Sequence, residues 1–132
     1  AGPMYTPKLE KDIRCPLEYG LSVFGGKWRS RVLCVLAGHE TMRYTVIRRE
    51  MTNITDAVLA TTLRELLADG LIVRRQFDEI PPRVEYALTE KGRSVLPILQ
   101  SICRWAGLYY RDEGDGPTLP QCRRCDHRSG AV

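Results

Sequence analysis

The chain has 132 residues, of which 43% are hydrophobic, so it can bury the core of one domain but has no room for a second. Its 20 basic and 16 acidic residues give a formal charge of +4, which favours a polyanionic partner without requiring one. Because no apolar run reaches membrane-spanning length and no signal-peptide pattern is found, we expect a soluble, cytoplasmic protein with no membrane partner. The number of cysteines is odd, which argues against a secreted disulfide framework; they are Cys15, Cys34, Cys103, Cys122 and Cys125.

The start of the chain predicts an arm followed by two helices. Residues 1–13 mix Pro, Lys, Glu and Asp without a period, and we interpret them as a mobile arm. Pro16 suits the first position of a helix with Cys15 at its N-cap, and the glycine pair at 25–26 ends that helix. A second helix with an apolar stripe then begins at Lys27.

Residues 44–69 predict a helix-turn-helix. A brief helix over 44–51 is followed by a turn at 52–54 and by a longer amphipathic helix, which we call the reading helix. Thr55 is its predicted N-cap and Asp69-Gly70 its stop. An apolar stripe at i, i+4, i+7 and i+8 should face the core, and it consists of Leu59, Leu63, Leu66 and Leu67.

A β-hairpin should follow the reading helix at once. Residues 71–77 are rich in apolar and β-branched residues, and residues 83–88 alternate between apolar and polar positions. The joining loop at 78–82 ends in two prolines, which remove backbone donors and fix φ, so the loop should project stiffly. This hairpin has the position and shape of the wing of a winged helix-turn-helix.

A long final helix should begin at the N-cap Thr89, with Pro97 either kinking it or marking its true start. Its apolar stripe is wide for a helix at the edge of a small domain, and we interpret part of it as a dimer seam. The tail at 112–132 has no periodicity and is predicted to be disordered. The expected fold is therefore α+β and mostly helical: a winged helix-turn-helix over residues 14–111 with a small antiparallel hairpin wing, dimerising through its N- and C-terminal helices.

The polar residues of these elements form a candidate DNA-binding surface. Small residues on the reading helix allow close approach to base edges, and the candidates there are Thr55, Asp56, Ala57, Ala60, Thr61 and Arg64. Phosphate contacts are expected from Lys27, Arg43, Arg48 and Arg49, and from Arg75 or Arg83 in the wing. The alternative is that the wing arginines pair with Asp78, Glu79 and Glu85, and that Arg64 pairs with Asp69 or caps a neighbouring helix.

Two cysteine arrangements have candidate chemistry. Cys15 at a helix N-terminus beside Arg14 lies where the helix dipole and a cation favour the thiolate, although a half-buried structural thiol is the alternative. In the tail, Cys122, Cys125 and His127 have a usable zinc spacing. A structural zinc site needs four ligands, however, so a disulfide or a plain tail remains an alternative. No catalytic constellation is found, so we expect neither an enzyme nor a cofactor.

Three blocks of the sequence resemble the HxlR-type transcriptional regulators, which are winged-helix proteins related in architecture to the MarR regulators. These blocks are CPLEYGLSVFGGKW, LRELLADGLIVRR and PPRVEYALTEKGRSVLPIL, and the similarity covers roughly residues 14 to 110. The resemblance implies a homodimer that binds palindromic operator DNA, with the terminal helices as the dimer interface. Several members sense electrophiles or oxidants through a cysteine in the leading Cys-Pro, and Cys15 matches that position.

The sequence therefore predicts a DNA-binding transcriptional regulator, more specifically a repressor, that binds double-stranded operator DNA as a homodimer. Modification of Cys15 by an electrophile or oxidant, or a small ligand at the dimer interface, would switch it. Two alternatives come from other classes. One is a thiol redox or zinc-handling protein that uses Cys122 and Cys125, and the other is a winged helix used only for protein contacts.

Overall fold

The computed structural model describes residues 15–109, which form five helices and three short strands. The helices are α1 (Pro16–Phe24), α2 (Lys27–Ala37), α3 (Tyr44–Met51), α4 (Asp56–Ala68) and α5 (Glu90–Gly107). The strands are β1 (Met42–Arg43), β2 (Ile72–Phe77) and β3 (Arg83–Leu88). The predicted arm at 1–13, the predicted tail at 112–132, and Cys122, Cys125 and His127 lie outside the described residues.

The core lies between the helices and one face of the sheet. Its side chains come from every helix and from all three strands, and the largest ones with no exposed surface belong to α2, α3, α4 and the segment that enters β2. They include Leu33, Leu36, Ile47, Met51, Leu59, Leu66 and Leu71. The leucine stripe of the reading helix, α4, thus packs inward as predicted. No helix within residues 15–109 has the length and apolar character needed to cross a membrane.

Local signals explain both ends of α4. The Thr55 side chain accepts a hydrogen bond from the backbone N–H of Val58 at 3.2 Å, which satisfies one unpaired donor of the first turn. At the other end Gly70 has φ +76, and Leu71 N–H donates to Leu66 C=O at 3.0 Å. This is a Schellman motif, and its two apolar residues, Leu66 and Leu71, are both buried.

The sheet has the strand order β1-β3-β2, and both pairings are antiparallel. The hairpin wing is therefore confirmed, but the two-residue strand β1 adds a third strand that the sequence pattern did not predict. Its pairing of Met42 with Tyr86 ties the segment before α3 to the wing.

The final helix contradicts one of the two alternatives predicted for Pro97. Thr89 caps α5 by accepting a hydrogen bond from Gly92 N–H at 3.0 Å, and Pro97 lies inside the helix. The alternative that Pro97 marks the start of the helix is wrong, because the cap at Thr89 already satisfies the first turn. The Thr89 hydroxyl also donates to Gly70 C=O at 2.7 Å, which fixes the start of α5 against the end of α4.

Candidate nucleic-acid interface

The exposed face of α4 is small and mostly uncharged. The side chains opposite the buried leucines are exposed at Asp56, Ala57, Thr61 and Arg64 and half-buried at Ala60, while Thr55 is exposed and serves as the N-cap. Small side chains allow the helix backbone to approach base edges closely. Five of the six residues predicted for this helix therefore lie on one open surface, and the sixth forms its cap.

Arg64 is the only long donor on this face, and it stays on the surface. Its Nη2 donates to the Thr61 hydroxyl at 3.2 Å, one turn earlier in the same helix. The alternative pairing with Asp69 is not formed; Asp69 instead accepts a hydrogen bond from Arg29 Nη1 at 2.9 Å. Arg64 and Thr61 thus form a polar pair on the exposed surface of α4.

The start of α4 is braced by α3 through one carboxylate. The Tyr44 hydroxyl donates to Asp56 Oδ1 at 2.9 Å, and Arg48 Nε lies 2.9 Å from the same oxygen. Burial raises the pKa of Tyr44 above its usual value, and the hydrogen bond to Asp56 raises it further, so this contact favours the protonated phenol that donates to Asp56. Asp56, predicted as a base-contact residue, therefore already has two partners within the protein.

Three of the predicted phosphate contacts lie around this brace. Arg48 and Arg49 lie in the last turn of α3, and Arg43 immediately precedes that helix. The register places Arg43 opposite Glu85, and Glu85 opposite Arg75, so these residues form one row across the outer face of the sheet. Within residues 15–109 neither Arg43, Arg49 nor Arg75 forms an ion pair, which leaves their charges available to an anionic partner.

Arg83 is held inside the wing. Its Nη1 donates to Glu85 and its Nη2 to Glu79, both at 2.8 Å, and its guanidinium lies 3.9 Å from the centroid of the Phe77 ring. The pairing alternative is therefore observed for Arg83, while Arg75 stays exposed on the same strand pair. The neighbouring Arg74 is also exposed, although the sequence pattern did not predict it as a phosphate contact.

Lys27 lies apart from the other predicted contacts. It begins α2, and its Nζ lies 4.5 Å from the centroid of the Trp28 ring. Arg29, two residues after Lys27, contacts Glu65 and Asp69 at the C-terminal end of α4. Because α4 spans about 20 Å, these Arg29 contacts place the start of α2 at the end of α4 that is far from Asp56.

Arg29 is a connecting residue that the sequence analysis missed. Its guanidinium donates to the backbone carbonyls of Ser22 and Val23 in α1, each at 3.3 Å, and pairs with Glu65 and Asp69 of α4 at 3.1 and 2.9 Å. The i, i+4 spacing of the two acids on α4 was the available signal, but nothing local pointed to a partner on α2. Arg29 therefore links the first helix directly to the reading helix.

Cys15 lies at the start of α1 and is half-buried. Its carbonyl accepts a hydrogen bond from Tyr19 N–H at 3.1 Å, while its side chain makes no capping hydrogen bond. Within residues 15–109 no group of three or more His, Cys, Asp or Glu side chains could hold a metal ion. The described thiols, Cys15, Cys34 and Cys103, form no disulfide with one another.

Large apolar side chains are exposed on α1 and α5. The fractions exposed are 67% for Leu17 and 65% for Trp105, which is far above the level of a buried core residue. The others on these helices are Tyr19, Leu21, Ile98 and Ile102, and the exposed Leu108 and Tyr109 follow directly after α5. Within residues 15–109 the first and last helices thus carry a concentration of exposed apolar surface, and the dimer seam there stays a prediction.

Comparison with known proteins gives consistent matches in sequence and in fold. The sequence profile of the HxlR-like helix-turn-helix family matches residues 23–114. A relative from Methanothermobacter thermautotrophicus, named as an uncharacterized HTH-type transcriptional regulator, is 46% identical over 112 residues, which cover 84% of this chain and 85% of the relative.

Solved structures agree with this match. A MarR-family transcriptional regulator from Porphyromonas gingivalis W83 has a TM-score of 0.69 and 33% identity, covering 75% of this chain and 96% of its own. The redox regulator HypR in its oxidized form has a TM-score of 0.67 and 40% identity, covering 74% of this chain and 99% of its own. The fold is therefore that of the winged-helix regulators.

Proposed function

The chain belongs to the HxlR-like helix-turn-helix family of transcriptional regulators, and from this premise we propose that it represses transcription by binding a palindromic operator as a homodimer. The observation that carries this is the open face of α4, bordered by uncommitted arginines on α3 and on the sheet. A helix with a small exposed face enters the major groove, and the flanking arginines bind phosphates.

The exposed apolar surface of α1 and α5 supports the homodimer. Six large apolar side chains of these helices, together with Leu108 and Tyr109 directly after α5, are exposed, and a second copy of the chain would remove them from water. A two-fold axis between the terminal helices would present two copies of α4 to successive major grooves about one helical turn apart. Repression follows if such a dimer covers a promoter.

DNA binding is tested by titrating labelled duplexes with the protein at several salt concentrations. The duplex is a palindrome selected by the protein from a random-sequence library, and a shuffled duplex and a single half-site serve as controls. We expect log affinity to fall linearly with log salt, with a slope of about 0.9 per phosphate contacted, and the palindrome to bind more tightly than either control. A flat slope on every duplex would instead support a winged helix used only for protein contacts.

A thiol switch at Cys15, or a small ligand at the dimer interface, would control the affinity. The similarity to the redox regulator HypR supports the thiol switch, and so does the position of Cys15 at the start of α1. Because Arg29 joins the end of α1 to α4, a change in α1 on modification has a direct route to the reading helix.

The switch is tested by comparing wild type with Cys15→Ser, each with and without a disulfide-forming oxidant. We expect the oxidant to lower operator affinity in wild type and to leave Cys15→Ser unaffected. Cys34→Ser is the matched control, since Cys34 is also half-buried but lies within α2. An equal response of wild type and Cys15→Ser would remove Cys15 from the mechanism.

A further inference from the structure

The first residue of the reading helix is an acid, which is unexpected on a surface that faces DNA phosphates. A carboxylate near the phosphate backbone should weaken binding by charge repulsion. Asp56 is nevertheless 74% exposed at its side chain and lies at the N-terminus of α4, between the cap Thr55 and the open face of the helix. Its contacts within the protein show how this cost is offset.

Asp56 receives two groups from α3 that are one turn apart. Tyr44 and Arg48 are spaced i, i+4, so they lie on the same side of α3 and reach the same oxygen, Oδ1, each at 2.9 Å. The Arg48 contact is an ion pair and is not aligned as a hydrogen bond. It is made through Nε, the nitrogen nearest the aliphatic stem.

Anchoring through Nε leaves the outer end of the guanidinium available. The two terminal nitrogens of an arginine carry four N–H donors in a planar fork that matches a phosphate. Within residues 15–109 no side chain accepts from these nitrogens of Arg48, and the Arg48 side chain is 41% exposed. The ion pair with Asp56 therefore holds the arginine at its inner nitrogen, while its outer pair can bind an anion.

We propose that Asp56 is a positioning residue for DNA binding: it holds Arg48 by Nε so that the two terminal nitrogens address one phosphate of the duplex. This inference rests on the proposed DNA binding. Ordering a long side chain before the encounter removes part of the entropy cost of binding. Tyr44 assists by donating to the same carboxylate, which keeps Asp56 oriented towards α3.

The sign of the effect separates this role from two simpler ones. If Asp56 only repels phosphates, its removal tightens DNA binding in every background. If Asp56 only stabilises the first turn of α4, its removal weakens binding by the same factor whether or not Arg48 is present. Positioning of Arg48 predicts a loss of affinity that depends on Arg48, which is the coupling that a double-mutant cycle measures.

The experiment is this cycle on the full chain with the selected palindrome at low salt. Asp56→Ala should weaken binding about tenfold in wild type, and in the Arg48→Ala background it should weaken binding no further. Asp56→Asn, which keeps an oxygen at the same position but removes the charge, should fall between wild type and Asp56→Ala. The matched control is Glu90→Ala, an exposed acid that begins α5 after the cap Thr89, and it should leave the affinity unchanged.

Two results would overturn the inference. Tighter binding by Asp56→Ala in the wild-type background would mean that repulsion dominates, and equal losses with and without Arg48 would mean that the residue acts only on the helix. Both outcomes differ from a failure of the proposed function, in which wild type itself shows no salt-dependent binding to the palindrome. Unfolding curves of each variant establish that the folded population is the same in every arm.

Discussion

Among single residues, the two wing arginines have the same chemistry and opposite surroundings. Arg83 donates to Glu79 and Glu85 and lies over Phe77, whereas Arg75 is exposed and pairs with no acid in the described part of the chain. Since Glu85 keeps only 15% of its side chain exposed, the Arg83 contact is partly shielded from water. One arginine therefore stabilises the wing, and the other remains available to DNA.

We therefore expect the same substitution to change stability at Arg83 and DNA binding at Arg75. Arg83→Gln should lower the free energy of unfolding by about 1–2 kcal/mol, because it breaks two charge-assisted hydrogen bonds that solvent screens only partly. Arg75→Gln should leave stability within about 0.5 kcal/mol and reduce the salt slope of DNA binding by about 1. Urea unfolding and duplex titration measure the two quantities. The assignment fails if the two variants show the reverse pattern.

Thr52 is a second residue whose conformation has a measurable consequence. It has φ +64 and ψ −80, and the flanking Asn53 N–H donates to Met51 C=O at 2.9 Å. This is the geometry of a strained three-residue turn, and a β-branched residue rarely adopts it. The strain lies in the turn that sets the angle between α3 and α4.

Thr52→Gly should therefore stabilise the protein, although glycine usually destabilises. Relief of backbone strain is worth about 1–3 kcal/mol, and the larger entropy of glycine in the unfolded chain costs about 0.5–1 kcal/mol, so a net gain of about 1 kcal/mol is expected. Thermal and urea unfolding provide the measurement. Thr52→Ala keeps the positive φ and loses the hydroxyl, so it should be no more stable than wild type; a glycine variant less stable than the alanine variant would exclude strain at this turn.

Among the elements, α5 packs closely against the segment before β2, and a glycine makes this close packing possible. A Cβ added to Gly92 would lie 2.1 Å from the carbonyl oxygen of Leu71, which is far inside van der Waals contact. The atom it meets is backbone, and Leu71 itself has no exposed surface. The start of α5 therefore cannot carry a larger residue without moving.

Gly92→Ala should accordingly lower the free energy of unfolding by about 1–3 kcal/mol, because the helix must shift within a packed core. Gly38→Ala is the matched control, since its added Cβ meets nothing within 4 Å and its φ is −87. It should change stability by less than about 0.5 kcal/mol. Similar unfolding curves for the two variants would contradict the close packing of α5.

The link that Arg29 makes between α1 and α4 can also be tested. Arg29→Gln would remove both ion pairs to α4 and the donors to the two α1 carbonyls, so the free energy of unfolding should fall by about 2 kcal/mol. Amide hydrogen exchange in α1 should accelerate more than in α2. Arg93→Gln, an exposed arginine of α5, should change neither measurement. Unchanged exchange in α1 of the Arg29 variant would exclude the link.

These elements show what the sequence could and could not predict. The helix limits followed from local chemistry, since the caps at Thr55 and Thr89 and the stop at Gly70 act within one turn of themselves. Strand β1 could not be predicted, because two residues carry no period and their pairing depends on Tyr86, more than forty positions away. The sequence equally could not show which acidic side chain pairs with which arginine.

The candidate site, too, could be predicted only in part. The helical period predicted that the face of α4 opposite the leucines is exposed, and the structure confirms it. The sequence did not show that Asp56 is bound by Tyr44 and Arg48, or that Arg29 reaches α4. Such contacts depend on how the helices are rotated and packed in three dimensions, and spacing along the chain does not determine this.

For the whole molecule, the decisive feature is the uncovered apolar surface of α1 and α5. Trp105 is 65% exposed and its ring packs only against Tyr109 among the described aromatic residues, with centroids 5.5 Å apart. Among residues 15–109 nothing covers this surface, and in the proposed homodimer a second copy would bury it and fix the spacing of the two reading helices. Oligomeric state and operator affinity should therefore change together.

Trp105→Glu should shift the protein to a monomer, because it places a charge in the centre of the proposed interface. Sedimentation of the variant and of wild type at the same concentrations measures the shift. Affinity for the palindrome should fall about 100-fold or more, since the two half-sites are no longer bound as one unit, whereas affinity for a single half-site should change less than about threefold. Ile80→Glu, at a fully exposed apolar position on the wing, should stay dimeric. A Trp105 variant that remains dimeric would require another face to hold the two copies together, and the spacing of the reading helices would then be set elsewhere.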